Sequence, residues 1–285
     1  MDILSEIHNQ MQTFSKGQKR IANYILTEFD KAAFMTAGAL GKATEVSEST
    51  VVRFASGLGY DGYPEMQKAL QEMVLTRLTS VQRMEVTTHR IGAQDLLSAT
   101  FEADISMLQE TLDQLDRNAF FRAVDLLLSA RRIYIVGVRS SSTLAHFLAF
   151  YLKYMFDDVR LVTASSESEA FEEIIRISPQ DAVIGISFPR YSTATCKTME
   201  YCHSAGVPVT ALTDSSSAPI AQVADCLLCA RSGMVSLVDS LVAPMSLINA
   251  LVVAMAEKRK QEAADTFDRL EKIWDNYHVY EKDDV

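Results

Sequence analysis

No stretch of this 285-residue chain stays apolar for the roughly 18 residues that a membrane-spanning helix needs. The opening Met1-Asp2-Ile3-Leu4-Ser5-Glu6 also lacks the basic and apolar regions of a signal peptide. The cytoplasm is the expected location, with no membrane partner. Cysteine is scarce: Cys196, Cys202, Cys226 and Cys229 are too few for the disulfide framework of a secreted domain. Cys226-Leu-Leu-Cys229 has C-x-x-C spacing, but it sits in a strand-like run, 223–230, with no second Cys or His pair nearby. Buried thiols are expected there rather than a metal or redox centre, and no cofactor is implied. Positive charge is short as well. A formal net charge of −10 argues against indiscriminate nucleic-acid binding. The deficit is uneven, because residues 1–90 hold as many Lys and Arg as Asp and Glu, so the whole acidic excess lies in 91–285. Only the first part of the chain suits DNA by charge.

What the chain does have is length for about two domains and, with 48% hydrophobic residues, ample material for buried cores. Its organising stretch is Arg132-Ile-Tyr-Ile-Val-Gly-Val-Arg-Ser-Ser-Ser-Thr-Leu-Ala145. A β-branched apolar run ends in Gly137 and three serines follow. Then Leu144, Phe147, Leu148, Tyr151 and Leu152 recur at helical spacing. The pattern predicts a strand, a tight turn and a helix N-terminus. Free N–H groups and hydroxyls at such a terminus suit an anion, most often phosphate, although serines there also serve as simple caps.

Ser15-Lys-Gly-Gln18 reads as a capping box opening a helix to about Phe29, with Ile21, Ile25 and Phe29 facing inward and Tyr24 and Leu26 beside them. Thr36 then caps a short helix with Leu40 and Gly41 inward. After a turn at Glu45-Val46, Ser47 caps a helix through Val51, Val52, Phe54 and Leu58, which Gly57 and Gly59 can end. Two short helices crossing closely at Gly41 predict a helix-turn-helix, with Thr36, Ser47, Glu48, Ser49, Thr50 and Arg53 on the face that meets DNA. A purely structural αα-hairpin fits the same spacing.

Pro64 is placed to open a helix over 65–77, and 78–91 loses periodicity as a linker would. Amphipathic helices over 95–115 and 117–129 lead into alternating elements: strands at 132–137, 159–163, 181–187, 207–212 and 225–229, and helices at 141–156, 167–176, 192–205, 218–223 and 237–260. Alternation predicts a doubly wound α/β fold with a parallel sheet in the order 2-1-3-4-5 and a ligand site at the carboxyl ends of its first and third strands. There a second hydroxyl-bearing loop falls, Ser187-Phe-Pro-Arg-Tyr-Ser192, also followed by a helix. Two such loops at one place favour a phosphate site over capping alone.

The segments Ser47-Glu-Ser-Thr-Val-Val-Arg-Phe54 and Leu58-Gly-Tyr-Asp-Gly-Tyr63, with the paired loops 137–145 and 187–192, make the chain resemble the RpiR/MurR-type bacterial transcriptional regulators, a helix-turn-helix domain fused to a sugar isomerase (SIS) domain. The resemblance covers nearly the whole chain. It implies a helix-turn-helix domain at 1–77, a linker at 78–91, connecting helices at 92–122, a SIS phosphosugar-binding domain at 123–262 and a C-terminal helix and tail at 263–285. By it Ser141 matches the serine of the first SIS loop, and Ser187 and Ser192 match the ends of the phosphate loop. Four positions depart from the family: Arg139 and Glu45 stand where glycine is usual, and Pro189-Arg190 replaces a Ser-Gly pair. The two arginines suit a further phosphate or carboxylate, as on a sugar acid, although ion pairs with Glu167, Glu169, Glu172 and Glu173 are the alternative.

The expectation is therefore a regulator, not an enzyme. It binds a palindromic operator as a homodimer or homotetramer and holds a phosphorylated sugar or sugar acid across Arg139, Ser140, Ser141, Ser187, Arg190, Tyr191 and Ser192. The long apolar helix at 236–256 is the expected subunit contact. The competing reading is a phosphosugar isomerase with an accessory helical domain, for which His146, His203, Glu167 and Glu169 are the acid–base candidates; no Glu–His pair among them shows catalytic spacing.

Overall fold

A computed structural model describes residues 3–77, 95–164, 166–233 and 239–280. The expected linker at 78–91 lies outside the described residues, as do Ser236 and Leu237. The chain forms two compact units, Met1–Arg90 and Ile91–Val285.

The first unit is helical: α1 (Ile3–Gln10), α2 (Lys16–Thr27), α3 (Phe29–Ala32), α4 (Ala37–Ala43), α5 (Glu48–Gly57) and α6 (Tyr63–Arg77). Its core gathers one apolar face from most of them, including Ile7, Ile21, Ile25, Leu40, Phe54, Met66 and Leu70, all fully buried. The capping box forms, with the Gln18 N–H donating to Ser15 Oγ (3.4 Å) and the Ser15 N–H to Gln18 Oε1 (3.0 Å). Gly41 is where α4 meets the turn: a Cβ there would stand 2.9 Å from the Val46 carbonyl oxygen, so only glycine allows the crossing. Leu58 closes α5, and Gly59 follows at φ +92°.

The second unit starts with α7 (Leu96–Gln114) and α8 (Arg117–Ser129). It continues β1 (Ile133–Val136), α9 (Ser141–Leu152), β2 (Val159–Val162), α10 (Glu167–Ile174), β3 (Ala182–Ile186), α11 (Thr193–Ser204) and β4 (Val209–Thr213). A 3-10 turn (Pro219–Val223), β5 (Cys226–Cys229), α12 (Val242–Lys258) and α13 (Lys260–Tyr277) complete it. All strand pairs are parallel, in the order β2-β1-β3-β4-β5. Alternate residues feed opposite layers, as the two-residue period of a strand requires. Ile133, Ile135, Ile184 and Leu228 pack with α8, α9 and α12, whereas Tyr134, Val136, Val183 and Val209 pack with α10 and α11. Cys226 joins the first layer, and Cys229, three positions on, lies outside it. Odd spacing on a strand sends the two thiols to opposite faces, and burial pushes both thiol pKa values up.

Two expectations need correction. The helix expected from 237 begins at Val242, and the apolar residues proposed as a subunit contact mostly turn inward: Ile248, Leu251 and Met255 are fully buried in the sheet's own core. A helix that is apolar nearly all round still has to give one face to its own domain. The exposed apolar side chains cluster instead on α7, at Leu96, Leu97, Phe101, Ile105 and Leu112.

At the amino ends of β1 and β3, the Arg131 guanidinium forks onto Asp181, with Nε 3.0 Å from Oδ1 and Nη2 3.1 Å from Oδ2. The Ser178 N–H and hydroxyl add to the same carboxylate. Burial pushes this carboxyl pKa up, but those donors outweigh it and hold it below the ordinary value. A depressed carboxylate stabilises the fold above its unfolded pKa and loses that contribution as pH falls through the folded one. Arg131→Ala should destabilise the second unit at neutral pH, because it leaves the buried Asp181 carboxylate without its cation. The difference from wild type should shrink on acidification, as followed by urea melts at several pH values.

Candidate functional site

The β1–β3 register, Val136 opposite Gly185, brings the two strand-to-helix loops side by side at the carboxyl edge of the sheet. Gly137 lets α9 come in close, since a Cβ there would stand 3.0 Å from the Ser141 carbonyl oxygen and 3.1 Å from the Ala145 Cβ. Arg139 then turns the chain at φ +56°, a left-handed conformation that costs a non-glycine residue roughly 1–2 kcal/mol.

The serines divide their labour in a way their spacing does not reveal. Ser142 donates to the Arg139 carbonyl (2.6 Å), whereas Ser140, at the N-cap position, makes no side-chain cap. Ser141 and Ser187 are buried. Among the described residues the hydroxyls of Ser140, Ser141 and Ser187 have no hydrogen-bond partner. Ser192, by contrast, caps α11 by accepting from the Thr195 N–H at 3.4 Å.

Arg139 and Arg190 are exposed, and neither has an acidic partner within 4.0 Å among the described residues. The expected alternative, pairing with the acidic run, does not occur there: Glu167 is held by Lys197 at 2.7 Å. Of the acid–base candidates, His146 Nδ1 lies 2.7 Å from the Ser142 carbonyl oxygen, which accepts only, so that nitrogen carries the proton. His203 is exposed near the end of α11.

Sequence reasoning placed the next strand but missed what its carboxyl end does. Tyr191 donates its hydroxyl to Asp214 Oδ1 (2.8 Å), and Thr213 Oγ1 donates to the Ser187 carbonyl (2.7 Å). Burial pushes the Asp214 carboxyl pKa up, and hydrogen bonds from Tyr191 and Thr213 only partly offset it. The one sequence signal was a polar Thr-Asp pair at the carboxyl end of a buried apolar strand.

In the first unit, Thr36 caps α4 by accepting from the Ala39 N–H at 3.2 Å. Ser47 holds the N-cap position of α5 but does not cap it through its side chain. Its hydroxyl meets those of Ser49 (2.9 Å) and Thr50 (2.8 Å) instead. Glu48, Ser49 and Arg53 are exposed and Thr50 is half-buried. Arg53 Nε donates to the Ser49 carbonyl (3.2 Å), so the guanidinium lies along its own helix. Glu48 leans on α4, its Oε2 3.3 Å from where a Gly38 Cβ would be. Glu45 takes φ +54°, and Arg20 braces it through both its carboxylate (2.9 Å) and its carbonyl (2.8 Å).

Fold and loops together define a class: a helix-turn-helix unit followed by a SIS-type α/β unit. Residues 1–76 match the helix-turn-helix domain of the rpiR family, and residues 126–254 match the SIS domain. The chain belongs to this RpiR-type family. An uncharacterized HTH-type transcriptional regulator of Clostridium perfringens is 24% identical over 228 residues, 79% of this chain and 80% of that one. The sugar isomerase domain of an RpiR transcription factor from Sphaerobacter thermophilus is 28% identical with a TM-score of 0.60, covering 63% of this chain and 99% of that one. The Vibrio vulnificus NanR protein, solved in complex with ManNAc-6P, shares the fold over 97% of this chain and 99% of its own, at TM-score 0.59 and 23% identity. Among the described residues no helix is long and apolar enough to cross a membrane.

Arg139→Gly relieves left-handed strain and adds the unfolded-state freedom of glycine, which costs roughly 0.5–1 kcal/mol. Denaturation should show stability unchanged or raised by up to about 1 kcal/mol. A clear loss of stability would mean that the guanidinium is bonded within the protein.

Proposed function

We propose that this protein is a DNA-binding transcriptional regulator of sugar or sugar-acid metabolism, and that a phosphorylated sugar held by the SIS unit sets its affinity for operator DNA. One observation carries the reading. Ser140, Ser141 and Ser187 keep their hydroxyls, and Arg139 and Arg190 their guanidinium groups, without protein partners among the described residues, on two loops that begin at neighbouring strand ends. Oriented hydroxyls and helix N-termini suit phosphate, and two arginines suit a further anionic group such as a carboxylate. Tyr191 and Ser192 act from behind, one anchored on Asp214 and the other capping α11. The regulator names of the relatives support the DNA-binding half.

The protein acts without catalysing a reaction on its ligand. His146 is tied to the Ser142 carbonyl and Glu167 to Lys197, so neither is poised to move a proton between sugar carbons. In the first unit Thr36, Ser47, Glu48, Ser49, Thr50 and Arg53 form the DNA face. Arg53 swings off its own helix to reach bases, and Glu48 steadies the start of α4. One helix-turn-helix reads a half-site, so a palindromic operator calls for a homodimer or homotetramer in the cytoplasm. The exposed apolar face of α7 is the best contact, with the groove of about 340 Å3 that Ile105, Leu108, Leu112 and Leu247 help to line.

A thermal-shift series over phosphorylated sugars and sugar acids tests the ligand, since one present at 100 times its Kd stabilises by about 2.7 kcal/mol. Ser187→Ala and Arg190→Ala should each weaken its calorimetric affinity by roughly 1.5–3 kcal/mol, and unchanged affinity in both would place the ligand elsewhere. For DNA, Arg53→Ala should cost about 1–3 kcal/mol and relax sequence preference. Retained affinity and selectivity in a fluorescence-anisotropy titration would remove α5 from the role.

A further inference from the structure

α7 is attached to its unit in an unusual way. Its apolar side chains at Leu96, Leu97, Phe101, Ile105 and Leu112 are exposed, and the one side chain buried in it is polar, Thr111. The Thr111 hydroxyl donates to the Met107 carbonyl one turn back (2.7 Å) and accepts the N–H of Arg231 (2.8 Å). Beside it the Arg231 guanidinium pairs with Glu110, Nε to Oε2 at 3.3 Å. Ser240 donates to the Asp104 carboxylate, and Gly233 closes on Met107, where a Cβ would stand 2.9 Å from Sδ. Positions 104, 107 and 111 recur at helical spacing, so a single face of α7 takes all these contacts from the chain that follows β5.

That chain is bonded in turn to the ligand loop. The Ala230 N–H donates to the Thr213 carbonyl (2.8 Å). The Thr213 hydroxyl donates to the Ser187 carbonyl (2.7 Å), and its neighbour Asp214 takes the Tyr191 hydroxyl (2.8 Å). Consecutive residues at the end of β4 thus hold both ends of the 187–192 loop. The end of β5 carries the connection to α7 without a break.

We infer that Thr213, the Ala230-Arg231 backbone and Thr111 form a hydrogen-bonded relay that reports the state of the 187–192 loop to α7, the first described helix of the second unit. The inference rests on the anion site proposed above and supplies its route of regulation. Polar, directional contacts suit a relay. A few hydrogen bonds can re-form in a shifted geometry at small cost, whereas an interdigitated apolar seam resists a shift. Thr213 and Thr111 are positioning residues, and neither needs to touch the ligand.

The test uses the full chain, with inorganic phosphate as probe, chloride at equal ionic strength as control, and hydrogen exchange read by mass spectrometry. In wild type, phosphate should slow exchange in 139–143 and 187–195 and also change it in 104–114. Thr111→Val should keep the loop response and lose the α7 response, and Thr111→Ser, which retains the hydroxyl, should restore it. If Thr111→Val does not fold, Glu110→Gln takes its place, with a diminished α7 response expected. A wild type whose loops respond while α7 does not, an α7 response that survives in the valine variant, or one that is undiminished in the glutamine variant, overturns the relay and leaves the anion site standing. No response at either loop overturns the anion site, and the relay with it.

Discussion

The parallel pairing of β1 with β3 is the constraint on which the rest of the second unit depends. Parallel neighbours end on the same side, so each must hand its chain to a helix there, and two helix N-termini are forced together. The register is held at the opposite edge by the Arg131–Asp181 fork and the Ser178 donors. At the carboxyl edge, Gly137 sets how near α9 stands. Once those are in place, the positions of Ser140, Ser141 and Ser187 follow from backbone geometry rather than from any attraction among the serines themselves.

Glu45 and Arg139 both sit in left-handed backbone conformations, where glycine would be free of strain, and their surroundings differ. Glu45 is compensated inside the protein by two hydrogen bonds from Arg20, which makes the turn between α4 and α5 a braced element. Arg139 carries the same strain with no acidic partner among the described residues. Strain that the surrounding structure does not relieve is commonest at ligand sites. The contrast supports the binding role proposed for Arg139, whose carbonyl is held by Ser142 but whose guanidinium has no acidic partner among the described residues.

The helices flanking the sheet show how far apolar composition can mislead about surfaces. α12 is the more hydrophobic element by sequence, yet the sheet and α8 and α9 consume its inward face. α7 is anchored through Thr111, Glu110 and Asp104, and it is there that apolar side chains face solvent.

The sequence by itself determined the element order, the sheet order 2-1-3-4-5, the Ser15–Gln18 capping box, the Thr36 cap and the close crossing at Gly41. The sheet order follows from the strand–helix alternation and the doubly wound fold class it implies; the others are written in local pattern: period two or 3.6, a cap residue three positions before its donor, a glycine where two backbones touch. Only the tertiary structure decided what each hydroxyl does. Ser47, Ser140, Ser142 and Ser192 all look like caps in one dimension, but of the four only Ser192 is one through its side chain; Ser142 bonds a carbonyl and Ser47 bonds two hydroxyls. The partners of Asp214 and Thr111 were not legible, because they lie 23 and 120 positions away along the chain. Hydrogen bonding is short-ranged and directional, so its pairing is settled by which backbones the fold brings within about 3 Å.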